Sequence, residues 1–268
     1  MKRSPFYRPA ASLQIVAKAD DEVDILLYDE IGYWGITASD FQAQLGTVKA
    51  KTINLRVNSP GGDVFDGFAI YNALRAHPAK VVAHIDGVAA SIASVIAMAG
   101  DEVRMAENAF LMIHNAWGLV IGFAEDMRSE ADLLDKISGS LRLAYENKSV
   151  TPAAQIQAWM DGETWFTADE AHEAGLVDSV VRDSGTQAKT SFDFSAYKNV
   201  PVALTEEHEP TVRELERALR DVGLSQIAAK QFVSAGRAAT EQRDVAEVGE
   251  RDVTPEPVRV FDFPYVGI

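Results

Sequence analysis

An α/β fold built around a mainly parallel sheet is what this sequence predicts, and three runs of residues predict it. Residues 53–57 alternate apolar and polar side chains, while 81–85 and 109–113 are almost wholly apolar. Each run ends at a turn or a stretch of small residues, and helical periodicity follows two of them. Such units repeat when the strands lie side by side and parallel, with helices packed on the sheet faces. Ligands in these folds bind off the carboxyl ends of the strands, so the residues directly after each run are the first candidates for function.

After 53–57 comes Asn58-Ser59-Pro60-Gly61-Gly62, a turn sequence whose paired glycines allow close approach to bare backbone N–H groups. Residues 64–79 read as a helix with Val64, Phe68, Tyr71 and Leu74 on a broad apolar face, joined less regularly by Ala69 and Ile70, and ending before Pro78 disrupts it. After 81–85, Gly87-Val88-Ala89-Ala90-Ser91 leads into 91–99, a short buried helix with Ser91 where its first turn starts. The run 109–113 ends at His114, 23 positions beyond Ser91 (114 − 91). Residues 124–147 carry Met127, Ala131, Leu134, Ile137, Leu141 and Ala144 at spacings of three and four. That is a single-striped helix of roughly 36 Å, long enough to project or to pack on a partner.

Taken singly, these parts have commoner structural roles. Serine caps helices, a histidine after apolar residues sits satisfied in a core, and Ser-Pro-Gly-Gly makes turns. Their joint placement points elsewhere, because all three follow strand ends on one edge of the sheet. A hydroxyl at Ser91, an imidazole at His114 and bare N–H groups at the glycine pair are a nucleophile, a base and an oxyanion pocket. These are the parts needed for acyl transfer by a serine hydrolase.

The motifs Ser59-Pro60-Gly61-Gly62, Asp86-Gly87-Val88-Ala89-Ala90-Ser91, Leu111-Met112-Ile113-His114 and Glu163-Thr164-Trp165-Phe166, the last followed by Gly175-Leu176-Val177-Asp178, occur in that order. In this the chain resembles the ClpP-like serine peptidases from about residue 23 to about 181. The wording of 61–72 and 90–94 is most similar to the phage and prophage branch, whose members mature the heads of tailed phages. The resemblance implies ClpP/crotonase-like repeated β-β-α units, with 124–147 as the handle helix through which rings of subunits stack. It also implies Ser91 as nucleophile, His114 as general base, and the backbone N–H groups of Gly61 and Ile92 as oxyanion donors. The third triad position is usually aspartate and here is Glu163; Asp161, two residues earlier, is the alternative. The implied partners are a protein substrate, capsid or scaffold protein in the phage branch, and further copies of the chain in a ring. Two other readings stay open: a protease subunit fed by an ATP-dependent unfoldase, and a catalytically inactive assembly scaffold.

Composition narrows the remaining classes. With no cysteine among 268 residues, thiol nucleophiles, disulfides and thiolate metal sites are excluded. A formal charge of −15 argues against nucleic acid, which needs clustered Lys and Arg. The five histidines have no metal-binding spacing and there is no phosphate loop, so neither metal nor nucleotide cofactor is expected. The apolar stretch 87–100 is shorter than the about 20 residues a membrane span needs, and the first seven residues lack a signal-peptide core, so a cytoplasmic protein is expected; the phage-branch resemblance implies the host cytoplasm or the inside of immature capsids. The expected domains are a protease domain over 1–200 and an extension over 201–268. The extension reads as a helical hairpin at about 211–236, a polar mobile segment and a hydrophobic end.

Overall fold

The computed structural model describes residues 13–18, 21–182 and 192–205. All belong to the first of two units into which the chain divides, Met1–Glu206; the second, Glu207–Ile268, lies outside the described residues, as do the expected hairpin at 211–236 and the segments after it. In chain order the elements begin with β1 (Gln14–Ala17), β2 (Glu22–Leu27), α1 (Ala38–Leu45), β3 (Thr52–Ser59) and α2 (Val64–Ala76). Next come β4 (Lys80–Ala90), α3 (Ile92–Ala97), β5 (Glu102–Ala106), β6 (Phe110–Ile113) and α4 (Ala124–Lys148). Last are α5 (Ala153–Asp161), β7 (Thr164–Thr167), α6 (Ala168–Glu173), β8 (Ser179–Val181) and α7 (Val202–Thr205).

The sheet runs β1-β2-β3-β4-β5-β8, with β6 attached to β4 and β7 to β6. Every pairing is parallel except β1 with β2 and β6 with β7. The three runs that predicted the sheet are β3, β4 and β6. At 11 residues β4 serves two partners on one side: Val82–Ile85 lies against β5, and Val88–Ala90 against β6. On its other side the register with β3 holds from Thr52↔Lys80 to Val57↔Ile85 and then shifts to Ser59↔Ala89. Two extra residues of β4 are absorbed there as a bulge, and the Asn58 side-chain oxygen accepts the Val88 N–H at 3.1 Å.

Period-2 alternation divides the second half of this sheet between two cores. Ala89, Leu111, Ile113 and Phe166 face the main core, whereas Val88, Ala90, Met112 and Trp165 face a smaller cluster with Phe192, Phe194, Tyr197, Val200 and Leu204. Packing therefore continues past residue 200, where the sequence had suggested a boundary. All of α3 is buried. α2 differs from its expected form in two ways. It ends at Ala76 because His77, preceding Pro78, is held extended at φ −72°, ψ 138°. Its buried residues are Gly67, Ile70 and Leu74, with Val64, Phe68 and Tyr71 only partly covered, because a Cβ at Gly67 would overlap Ile92 where α2 crosses α3.

α4 spans 25 residues, about 37 Å. Its expected apolar stripe is buried only in the second half, at Ile137, Leu141 and Ala144, with Ser138 and Tyr145 alongside. Met127 and Ala131 are exposed, as are Trp117, Leu119, Ile121 and Phe123 in the loop that leads into the helix. Among the described residues no helix is long and apolar enough to cross a membrane.

Candidate active site

Strand register brings the candidate side chains together. Ala90 lies opposite Met112 in the parallel β4–β6 pair, so Ser91 and His114 leave adjacent strand ends on the same edge, and the Ser91 N–H donates to the Met112 carbonyl at 3.1 Å. The Ser91 hydroxyl and His114 Nε2 are 2.7 Å apart. Although Ser91 occupies the N-cap position of α3, its side chain makes no cap bond. Its backbone sits at φ 56°, ψ −132°, a conformation that costs a non-glycine residue about 1–3 kcal/mol. That strain is held by packing on every side. The Ser94 N–H and hydroxyl both donate to the Ser91 carbonyl, at 3.0 and 2.6 Å, and the Ser94 hydroxyl also meets the buried Tyr145 hydroxyl at 2.8 Å. Ser94 is thereby engaged in holding the turn, while Ser91 faces the imidazole.

The glycine turn abuts this pair. Gly61 has φ 98°, and a Cβ there would lie 2.7 Å from the Ser91 Cβ and 3.3 Å from the Ile92 nitrogen. Gly62, at φ 141°, has no room for a side chain against the Ile31 carbonyl. The Ile92 N–H, the first of α3, has no preceding turn to bond to. The Gly61 N–H, assigned from sequence as the second oxyanion donor, donates to the Ser59 hydroxyl at 3.2 Å. The Gly62 N–H makes no hydrogen bond among the described residues. Sequence reading singled out the first glycine of the pair; the two are told apart only by which peptide is already engaged.

Antiparallel register places the third group. Phe110↔Thr167 through Ile113↔Thr164 pair in sequence, and one step further puts His114 opposite Glu163. Glu163 adopts φ 47°, and its Oε1 accepts from the backbone N–H groups of Lys198 and Asn199 at 2.6 and 2.9 Å. Asp161 instead accepts from the Asn115 and Gln157 side-chain amides, both at 2.8 Å. Among the described residues no hydrogen bond reaches His114 Nδ1. Burial pushes the His114 imidazole below its ordinary value, and the Glu163 carboxylate pulls the other way. A buried neutral imidazole on a serine hydroxyl can accept its proton, and a carboxylate beside it stabilises the imidazolium that results.

One residue at this edge escaped the sequence reading. The Tyr197 ring meets His114 edge to face, 5.5 Å between centroids, and its hydroxyl donates to the Pro60 carbonyl at 2.6 Å. The aromatic spacing Phe192, Phe194, Tyr197 was the available signal, but it falls just before the expected domain boundary and follows no strand run. A cleft of about 720 Å³ opens over Ser91 and His114, walled by residues of α4 on one side and by Phe192 and Tyr197 on another. Asp29, Glu30, Asp63, Glu130 and Asp193 border it, with no lysine or arginine among the described lining residues. Such a lining gives the cleft a negative field. Among the described residues no group of three or more His, Asp or Glu is arranged to hold a metal ion.

Comparison with known proteins agrees with this geometry. The profile of the family described as Clp protease matches residues 8–184. ATP-dependent Clp protease proteolytic subunit 3 of Rhodococcus jostii is 35% identical over 133 residues, covering 49% of this chain and 66% of that protein. The ATP-dependent Clp protease proteolytic subunit of Bacteroides fragilis is 32% identical over 167 residues, 58% of this chain and 81% of its own length. Subunit 3 of Streptomyces coelicolor is 34% identical over 154 residues, 55% and 70% of the two chains. With a parallel sheet that delivers a serine and a histidine to one edge, and a family match over well over half its length, the chain belongs to the Clp protease family of serine-type peptidases.

Proposed function

We propose that this chain is a serine endopeptidase in which Ser91 is the nucleophile and His114 the general base. Glu163 orients and stabilises the imidazole, and the Ile92 N–H together with the Gly61-Gly62 turn receives the oxyanion. The observation that carries this reading is the 2.7 Å contact between the Ser91 hydroxyl and His114 Nε2 on a strained strand-to-helix turn. As Ser91 attacks the scissile carbonyl its proton passes to Nε2, and the imidazolium returns that proton to the leaving amine. The carbonyl oxygen, gaining negative charge, is met by N–H groups fixed before the reaction begins. Water then repeats the sequence on the acyl-enzyme. No cofactor enters any step.

The substrate is a protein of the phage head, capsid or scaffold, cleaved in the host cytoplasm or within the immature capsid by a homo-oligomeric ring of this chain. Supporting this are the wording of residues 61–72 and 90–94, and the 84 residues (268 − 184) that follow the family-matched stretch. The ring is supported by the exposed apolar side chains of Trp117, Leu119, Ile121, Phe123 and Met127, a contiguous stretch suited to burial against another subunit. A second reading, a proteolytic subunit fed by an ATP-dependent unfoldase, is favoured by the similarity to ATP-dependent Clp protease proteolytic subunits.

A fluorophosphonate probe is expected to label Ser91 and not Ser94, with Ser91→Ala abolishing labelling at unchanged thermal stability; labelling elsewhere would overturn the nucleophile. The profile of kcat/KM against pH should fall on its acid side at a midpoint below about 6.5, since burial depresses the His114 pKa and the base must be neutral. Because the Glu163 charge raises that pKa, Glu163→Gln is expected to move the midpoint lower still and to reduce kcat by roughly 10³–10⁴-fold. Light scattering at micromolar concentration should report an assembly of several subunits, and a clean monomer would remove the ring. Co-expression with the capsid protein should yield discrete, ATP-independent cleavage that Ser91→Ala prevents. Degradation to short peptides only with ATP and an unfoldase would select the second reading.

A further inference from the structure

Residues 192–204 lie beyond the stretch that matches the family, yet they pack on the catalytic edge. Phe194 is buried against Val88, Ala90 and Met112, the strand residues that precede Ser91 and His114. The segment is pinned at its far end by Glu163, whose Oε1 accepts the Lys198 and Asn199 N–H groups, and by the Asn199 side-chain amide, which donates to the Gly162 carbonyl at 2.8 Å. Between these anchors sits Tyr197.

Its hydroxyl bond to the Pro60 carbonyl has a consequence for the next residue. That carbonyl and the Gly61 N–H belong to one planar trans peptide, so holding one fixes the direction of the other. The following peptide is held in the same manner, because the Ile31 N–H donates to the Gly61 carbonyl at 2.8 Å and so sets where the Gly62 N–H points. A carbonyl that accepts a hydrogen bond also polarises its own peptide, making the attached N–H a stronger donor. The Tyr197 ring meanwhile packs edge to face with the His114 imidazole, 5.5 Å between centroids and nearly perpendicular.

We propose that Tyr197 is a positioning residue for acyl transfer: its hydroxyl pins the Pro60–Gly61 peptide beside the oxyanion site, and its ring restrains the His114 imidazole. Tyr197 has this role only if Ser91 and His114 perform the chemistry proposed above. Burial pushes its phenol up to about 12, with the neighbouring Ser91 hydroxyl pulling the other way, so it stays protonated and remains a donor across the working range of a histidine base. The active site of this chain is thus completed by a segment outside the family-matched stretch.

The test compares full-length wild type with Tyr197→Phe and Tyr197→Ala, using p-nitrophenyl butyrate as acyl donor and end-point fluorophosphonate labelling to count active sites. Tyr197→Phe keeps the ring and loses the hydroxyl; its kcat is expected to fall about ten-fold, the scale of one lost hydrogen bond, with KM within two-fold and the labelled fraction unchanged. Affinity for a peptide boronate, which resembles the tetrahedral adduct, should weaken by the same factor. Tyr197→Ala, losing ring and hydroxyl, should fall further. A Phe variant with wild-type kcat, or one whose loss lies wholly in KM or in the labelled fraction, would overturn the proposal. Absence of Ser91 labelling in the wild type is a separate outcome, and would overturn the acyl-transfer reading itself.

Discussion

Strand pairing around β6 is the constraint on which the rest of this structure depends. Its parallel register with β4 sets Ser91 beside His114, and its antiparallel register with β7 sets Glu163 opposite the same histidine. No side chain has to reach far, because backbone ladders bring three chain segments to one edge. The two hydrophobic clusters follow from the same ladders, since alternation along β4, β6 and β7 sends Ala89, Leu111 and Phe166 one way and Ala90, Met112 and Trp165 the other.

Strain and close approach are concentrated at the sheet edge where Ser91 meets His114. Ser91 and Glu163 are two of the three non-glycine residues with positive φ among the described residues, and Gly61 and Gly62 add two more left-handed positions within the same edge. Conformations of this kind persist only when the surroundings over-determine them. Here the bonds to the Ser91 carbonyl from Ser94, the Ile31 bonds to the glycine turn and the Lys198 and Asn199 N–H groups on Glu163 supply that determination. Stability of the central sheet is in this sense spent on holding one hydroxyl in a fixed direction.

Legibility in the sequence followed the range of the interactions. Ser91 and His114 could be read because each ends an apolar strand run, and a parallel sheet sends such ends to one edge. Glu163 could be read through its motif, although the chain carries glutamate where aspartate is usual. The large residues of the α2 face were legible and pack on the core, but the position at its crossing with α3 is Gly67, which a periodicity of large apolar residues passes over. Gly61 and Gly62 could not be distinguished as donors, since that depends on a bond to the Ser59 hydroxyl. Tyr197 was invisible for a similar reason: its partners, Pro60 and His114, are more than eighty residues away in the chain, and only the folded sheet shows that they meet.

The doubled service of β4 carries one more consequence. Between Ile85, the last residue paired with β5, and Val88, the first paired with β6, the strand changes neighbours within a bulge. That interval acts as a ruler. Asp86 within it is held by Arg56 and Tyr28, and the length of the interval is fixed as firmly, because removing one residue would turn every later side chain to the opposite face and swing the hydroxyl from the cleft into the interior. An insertion or deletion before residue 91 would therefore displace the hydroxyl even where each remaining side chain kept its identity.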